Sequence, residues 1–424
     1  MGRRVVITGM GVCAPNAINL QDFAQALEKG KSGIRHHSEL ERLKFGCQIA
    51  GKPIIPETHK ENYFSPLQLR GLNASGIVYG VIAGMDAWKD AGLEPSPPDQ
   101  PDWDSGIIFG TGILGVDKFR DAIYEVDAKN VRRLGSTVVI QTMASGISAY
   151  LGGLLGCGNQ VTTNSSACST GTEGILMAYE RIAAGRAERI LTGSCSDSGP
   201  YVWGGFDAMR ILPRQYNDKP EEASRPMSGS ACGFVPGSGA GAMVLESLES
   251  AQKRKANIYA EILGGAVNSG GQRGNGSMTA PNSIAVKRCL NEAIKDSGIT
   301  ADEIDAINGH LTATSKDPLE IKNWAAVLGR NKFDFPFINS FKGLLGHCLA
   351  AAGSIECIGA VLQFKEQKIF GNKNCEDLHP EIASIVSRTQ IPSESISFNP
   401  KIIAKASFGF GDVNACVIFK QYNL

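Results

Sequence analysis

Three side chains able to do covalent or proton chemistry stand among small residues and glycines. They are Cys168 in Asn164-Ser-Ser-Ala-Cys-Ser-Thr-Gly171, His310 in Asn308-Gly-His-Leu-Thr-Ala-Thr314 and His347 in Leu344-Leu-Gly-His-Cys348, with Lys342 five residues before His347. A cysteine at a helix start meets unpaired N–H groups and the positive end of the dipole, which favour the thiolate, the nucleophilic form. Small neighbours Ser166, Ala167 and Ser169 leave room for a carbonyl to approach Cys168. Two neutral histidines without a carboxylate suit donation to a carbonyl or enolate better than activation of water, where a third, orienting acid is common. Together the three point to carbon–carbon bond formation on a thioester.

The elements that position these groups can be read from pattern. The β-branched run Val161, Thr162, Thr163 predicts a strand, and Ile175, Leu176, Tyr179 and Ile182 recur at helical spacing, which places Cys168 at a strand-to-helix elbow. Upstream, residues 3–13 read as a buried strand, 21–28 as a helix, 33–63 as irregular, 67–91 as one helix, 105–113 as a strand entering a glycine turn, and 138–155 as one helix. Residues 189–194 read as a strand, 200–230 as a long surface excursion, and 233–248 as two strands around a glycine-rich turn. From about residue 258 the order repeats. Residues 304–312 occupy the place of 105–113, 336–353 repeat the strand, elbow and small-residue helix of the Cys168 segment, and 401–419 supply paired strands. Alternating strands and helices in two similar halves, 1–255 with the nucleophile and 256–424 with both histidines, predict a duplicated α/β/α layered fold with pseudo-twofold halves and mainly parallel sheets. Ligands in such sheets gather at strand ends, where equivalent elbows converge.

Composition excludes several classes. Across 424 residues, 42 basic and 42 acidic side chains leave no net charge, which argues against a nucleic-acid binder, and an acidic partner must be met by a local patch. Eleven cysteines without paired spacing, and no charged-then-apolar leader, predict neither a zinc site nor a disulfide framework, and a cytoplasmic setting. No apolar run reaches the roughly 18 residues needed to span a bilayer. Gly9-Met-Gly11 lacks the third glycine and distal acid of a dinucleotide fingerprint.

Four ordered boxes carry a resemblance over nearly the whole chain. Ser166-Ala-Cys-Ser-Thr-Gly171, Asn308-Gly-His-Leu-Thr-Ala-Thr314, the stretch from Lys342 to Gly353 and Ser407-Phe-Gly-Phe-Gly411 resemble those of the β-ketoacyl-acyl carrier protein synthases, in particular the bacterial type II elongating enzymes with a Cys-His-His site. The resemblance implies a thiolase-like fold, a homodimer and a decarboxylative Claisen condensation by an acyltransferase. It implies that Cys168 takes the acyl chain from a carrier protein, that the backbone N–H groups of Cys168 and Phe410 hold the oxyanion, and that His310 and His347 assist malonyl decarboxylation and stabilise the enolate. By the same likeness Lys342 organises the histidines, Thr312 and Thr314 face the phosphopantetheine arm of the carrier, and Phe410, with Phe408 nearby, gates the nucleophile. Glu356 falls on a buried structural or water-ordering acid, and Ile113 on a residue near the acyl pocket. Arg70, Arg132, Arg133 and Arg225 fall where relatives meet the acidic carrier protein. No bound cofactor or metal is implied, the carrier's arm serving as substrate handle.

The sequence also departs from that pattern. Leu311 stands where glycine is usual, Ala313-Thr314 replaces a Ser-Thr pair, Asp412 replaces a second glycine, Ala406 an asparagine, and residues 233–238 lack an acid. With a glycine-rich stretch at 268–276 where relatives have a loop near the entrance, these changes keep open a specialised polyketide or aryl polyene substrate in place of a fatty acyl chain. A thiolase would need a second cysteine where Phe410 stands, and a non-catalytic chain-length partner subunit would lack Cys168.

Overall fold

The computed structural model describes residues 2–271 and 278–422. Ten strands of one sheet run through the described residues: β1 (Val5–Cys13), β2 (Ser105–Thr111), β3 (Val161–Thr162), β4 (Arg189–Ser196), β5 (Gly239–Ser247), β6 (Ala260–Ser269), β7 (Ala306–Asn308), β8 (Phe337–Asn339), β9 (Ile402–Gly409) and β10 (Val413–Gln421). Their spatial order is β8-β7-β9-β10-β6-β1-β5-β4-β2-β3. Read outward from the centre, each five-strand set presents its first, fifth, fourth, second and third strand, so the two sets share one topology about the β1–β6 junction.

The sheet is not mainly parallel. Parallel ladders join β2 to β3 and β4, and β7 to β8 and β9, at the two flanks. The centre, β4-β5-β1-β6-β10-β9, is antiparallel throughout, and β1 pairs directly with β6 to make one continuous sheet. The alternation of strand and helix that suggested parallel strands is met only at the flanks. β1 and β5 are buried at every position, because helices cover both faces of an antiparallel centre.

Six helices make the covering layers: α1 (Ser75–Asp90), α2 (Gly146–Leu155), α3 (Thr170–Ala183), α4 (Ser283–Asp296), α5 (Asp317–Leu328) and α6 (Ala352–Glu366). α1 and α2 pack on the outer face of the first set around Ile82, Phe109 and Leu151, and α4 and α5 on the second around Leu290, Trp324 and Ile338. α3 and α6 pack on each other and touch strands of both sets. They form the central core with Ile175, Ile355 and Ile358. Their starts cross so closely that a Cβ on Gly171 falls 2.3 Å from Ser354 N and one on Gly353 falls 2.6 Å from Thr172 N. Only glycine fits at either place.

Several expected elements differ. The helix expected over 67–91 is broken into Pro66–Leu69 and α1, because the Gln141 side chain accepts from Asn73 N and Ala74 N and donates to Gly71 O, holding the break open. The helix expected over 138–155 stops at Thr142, where Met143 turns extended, and resumes as α2. Residues 200–230 are no mere surface excursion: they begin with a helix, Pro200–Ala208, whose Trp203 is buried. Of the two strands expected over 233–248, only β5 joins the sheet, while 233–238 runs extended beside His347. Within 33–63, short ladders and turns of helix alternate.

Candidate active site

Cys168 lies in a 3₁₀ turn, Ala167–Ser169, that feeds directly into α3. Ala167 takes a left-handed backbone, φ 49°, and Thr170 Oγ1 fixes the turn by accepting from Ser166 N at 2.9 Å. The end of β9 comes alongside: a Cβ on Gly409 falls 2.9 Å from Ser166 O and 3.2 Å from Cys168 N. Glycine there lets the Phe410 backbone reach the nucleophile, and the N–H groups of Phe410 and Cys168 both bear on the sulfur.

His347 follows the short helix Lys342–Leu345 and precedes a second 3₁₀ turn, Leu349–Ala351, that feeds into α6. The extended segment 233–238 clamps its backbone: His347 N donates to Val235 O at 2.7 Å and Gly237 N donates to His347 O at 2.8 Å. Phe234 meets the imidazole edge-on, with ring centres 5.2 Å apart.

His310 stands near the start of the loop between β7 and α5, and two buried acids of α5 hold that loop. Glu320 accepts from His310 N at 2.7 Å and Leu311 N at 2.8 Å, while Asp317 accepts from Thr312 N at 3.0 Å and Ala313 N at 3.1 Å. These bonds sustain left-handed backbone at Leu311 and Ala313, φ 25° and 63°, which explains how non-glycine residues stand there. Burial pushes the Glu320 carboxyl up to about 7 and Asp317 up to about 6, against the backbone donors that favour their charged forms. Sequence reading missed both acids. Their spacing from His310, at the first turn of a helix, was the available signal.

The three groups meet. His347 Nε2 lies 3.1 Å from Cys168 Sγ, the two imidazoles stand edge to face with centres 5.4 Å apart, and the sulfur and one nitrogen of each ring lie within 4.8 Å of one another. Two nitrogens and a sulfur are a donor set that a soft divalent ion would also accept. Neither ring's Nδ1 has a hydrogen-bond partner among the described residues, so no carboxylate orients either imidazole. Behind them, Lys342 pairs with Glu356 through Oε1, and both side chains are buried. Burial, then the Lys342 charge, holds both histidines well below the ordinary imidazole range. Burial likewise lowers Lys342, against the pull of Glu356.

At Cys168 burial works against the thiolate that the helix start favours. Burial pushes the thiol up to about 11, and Lys342 and the two backbone N–H groups oppose it only in part. The helix start is too enclosed for its dipole to outweigh desolvation.

A cavity of about 250 Å³ opens on these groups. Thr312, Thr314, Phe408 and Phe410 line it, and the two threonine hydroxyls lie 3.1 Å apart. Phe206 and Ile211, from the stretch read as surface, line it too. Ile113 is not among its walls: it is 54 % exposed on this chain, neither core nor pocket. Cys348 is buried and faces away from the cavity, leaving Cys168 as the cysteine on its wall. Arg70, Arg132 and Arg133 are exposed. Arg225 is engaged, 3.0 Å from Asp377 and 3.3 Å from Glu376. Residues 272–276 of the glycine-rich stretch lie outside the described residues, while Met278 and Pro281 just beyond line the cavity. No helix of the described residues is long and apolar enough to cross a membrane.

Comparison with known proteins agrees with this geometry. Residues 2–251 match the beta-ketoacyl synthase N-terminal domain and residues 259–376 the beta-ketoacyl synthase C-terminal domain. The chain is 31 % identical to 3-oxoacyl-[acyl-carrier-protein] synthase 2 of Coxiella burnetii and 32 % identical to that of Vibrio cholerae, each over 99 % of both chains. Among solved structures, a beta-ketoacyl synthase from Burkholderia phymatum superposes with a TM-score of 0.88 at 26 % identity, covering 99 % of this chain and all of that one. A type II PKS acyl-carrier protein in complex with its ketosynthase gives 0.87 at 26 %, covering all of both. The fold is thus that of the thiolase-like ketosynthases, and with both domains matched in order along its length, the chain belongs to the beta-ketoacyl synthase family.

Proposed function

We propose that this chain is a β-ketoacyl-acyl carrier protein synthase, an acyltransferase of fatty acid elongation that condenses an acyl thioester with malonyl-acyl carrier protein. The observation that carries the reading is the Cys168–His347 contact of 3.1 Å with His310 beside it at the base of one cavity. In the first step the Cys168 proton leaves through the sulfur–imidazole contact to the departing phosphopantetheine thiol. The Cys168 sulfur then bonds to the acyl carbon as the carrier's carbon–sulfur bond breaks. N–H groups of Cys168 and Phe410 stabilise the oxyanion on that carbon.

In the second step the malonyl thioester sits with its carbonyl oxygen toward the neutral histidines. Its carboxylate leaves as carbon dioxide, and the electron pair of the broken carbon–carbon bond passes into an enolate held by ring N–H groups. The enolate carbon attacks the acyl-cysteine, the tetrahedral oxyanion returns to the same two backbone donors, and collapse releases Cys168 and a β-ketoacyl carrier protein. Thr312 and Thr314 accept the arm, Phe408 and Phe410 shield the reacting atoms, and Lys342 with Glu356 supports the histidines from behind. The division into halves 1–255 and 256–424 belongs to this reading, since each contributes one elbow.

A homodimer belongs to it as well. β3 is a terminal strand with one unpaired edge, and Ile113, Phe119 and Val139 are exposed on the same half of the chain, at 54, 56 and 70 %. A second copy over that face would bring cover to Ile113 and let its bulk bear on the acyl pocket. Exposed Arg70, Arg132 and Arg133 are the carrier-protein contacts of this reading, Arg225 contributing only if it leaves its ion pairs. Removing Arg132 and Arg133 together raises KM for the carrier protein several-fold at low salt with kcat kept.

A second reading, a specialised polyketide or polyene ketosynthase, draws on non-glycine residues at Leu311, Ala313 and Asp412, all with left-handed backbone near the cavity. One experiment addresses both. The chain is offered a panel of acyl-carrier proteins with malonyl-carrier protein, the acyl-enzyme is identified by mass spectrometry and carbon dioxide release is followed. Saturated chains on Cys168 support elongation, polyenes support the second reading, and absence of carbon dioxide release with every partner defeats both.

A further inference from the structure

A second lysine stands behind the histidines, and none of the steps above uses it. Lys405, in the middle of β9, is fully buried. Its ammonium lies 2.9 Å from Glu356 Oε2, an ion pair without hydrogen-bond geometry, and donates to Ser407 Oγ at 3.1 Å and to the Ala406 carbonyl. Glu356 gives its other oxygen to Lys342. Ser407 Oγ lies 2.9 Å from Thr172 Oγ1 on α3, so the lysine ties the helix of Glu356 to the helix of the nucleophile.

A structural tie alone would not need this arrangement. Lys342 by itself neutralises Glu356, and a second buried ammonium leaves a charge that the fold must carry without solvent. We infer that Lys405 is a positioning residue, a second basic side chain built into the strand behind the site and sharing Glu356 with Lys342, so that two basic groups and one acid back both histidines. Its consequence is that His310 and His347 stay neutral, as N–H donors, while negative charge develops in front of them. Lys405 acts on both rings in the same direction as Lys342. The ionisable groups around it are Glu356 and Cys357 from α6, Cys416 from β10, Lys342 from the short helix, and the two histidines.

This inference rests on the decarboxylation role given above to the histidines, and its test separates the two. K405M removes the charge and keeps the length of the side chain. It is expected to remain folded and to be alkylated at Cys168 by iodoacetamide as the parent is. Carbon dioxide release from malonyl-carrier protein should fall by about tenfold or more, and the acid limb of the pH–rate profile should move up by about one unit. In K405A, ammonium or potassium chloride restores part of the rate by entering the vacated space, whereas choline, too large for it, does not. K405M with the parental rate and pH profile overturns the inference. Should K405M not fold, thermal stability of K405A decides: recovery with ammonium and not choline keeps the cation, and indifference to both assigns Lys405 to packing. If the parent itself releases no carbon dioxide, the functional reading fails, and histidine titration by NMR in parent and K405M still decides whether Lys405 keeps the rings neutral.

Discussion

The two elbows of the molecule are built alike and used differently. In each, a three-residue 3₁₀ turn that opens on a left-handed residue, Ala167 with φ 49° or Leu349 with φ 52°, runs into a long helix, and in the second the short helix Lys342–Leu345 stands between strand and turn. The helices meet at Gly171 and Gly353. Yet the chemistry sits at different steps. Cys168 is the middle residue of its 3₁₀ turn, where Ala350 stands in the other, and His347 precedes its turn by two residues. That offset carries the imidazole across the junction to the sulfur instead of stacking two groups on the local axis. The surroundings differ too: hydroxyls back the cysteine elbow, with Ser169 donating to Val413 O at 2.8 Å, whereas Lys342, Glu356 and Lys405 back the histidine elbow. The repeated topology supplies two convergent helix starts, and the charge gathered behind one of them is what distinguishes the two.

Breaking each elbow in turn should therefore give different failures. Cys168→Ala abolishes condensation, by more than about a thousandfold, with no acyl-enzyme in the mass spectrum and malonyl decarboxylation still measurable. His347→Ala lowers decarboxylation by about 10² to 10⁴-fold, while Cys168 still takes up an acyl chain, only more slowly for want of the imidazole that carries off its proton. Loss of acylation alone in His347→Ala would contradict the division of labour.

The shared geometry makes the opposite kind of prediction. A methyl at Gly171 or Gly353 collides with backbone of the facing helix from either side, so each alanine variant destabilises the chain by a similar amount, about 3 kcal/mol. Denaturant midpoints that differ widely between the two would show that the crossing is not symmetric.

The charge difference sets the pH response. Both histidines are held well below the ordinary range by burial and then by Lys342, so they remain neutral where a free imidazole, with its pKa near about 6.5, is protonated. Decarboxylation accordingly stays within about a factor of two from pH 8 to pH 6. The unfolded chain binds those protons more readily, so the histidines' own contribution to stability is full above about pH 6.5 and declines below it, while the raised carboxyls of Glu320 and Asp317 act in the opposite direction. A rate half-lost near pH 6.5 would place the rings in an ordinary environment and remove the stated function of the charged cluster.

How much of this could be read in the chain depends on the range of the cause. Local patterns placed the two elbows and picked out the cysteine and two histidines that meet, because β-branched runs, small residues and helical spacing act within a few residues. What escaped depends on distant partners. Antiparallel pairing at the sheet centre depends on β1 meeting both β5 and β6, and the break before α1 on Gln141. Glu320 and Asp317 gain their meaning only by folding back on the 310–314 loop, and Phe206 only by reaching the cavity. The opposing effect of burial at Cys168 escaped for the same reason, since a helix start is local but burial is not.

The smallest effect separates the elbows most finely. At matching steps of the two central helices, Thr172 and Ser354 each meet a serine on a strand of the opposite half: Thr172 Oγ1 lies 2.9 Å from Ser407 Oγ on β9, and Ser354 Oγ 2.7 Å from Ser194 Oγ on β4. All four side chains are buried. Thr172→Val and Ser354→Ala each remove one buried hydroxyl pair, at a cost of about 1 kcal/mol, so their melting temperatures fall together. Their pH profiles do not. Ser407 also receives the Lys405 ammonium at 3.1 Å, so only Thr172→Val disturbs the charge behind the histidines, and only it moves the acid limb of decarboxylation. Equal shifts in both variants would mean that the hydroxyl pairs act through packing alone, and that charge is not what distinguishes the two elbows.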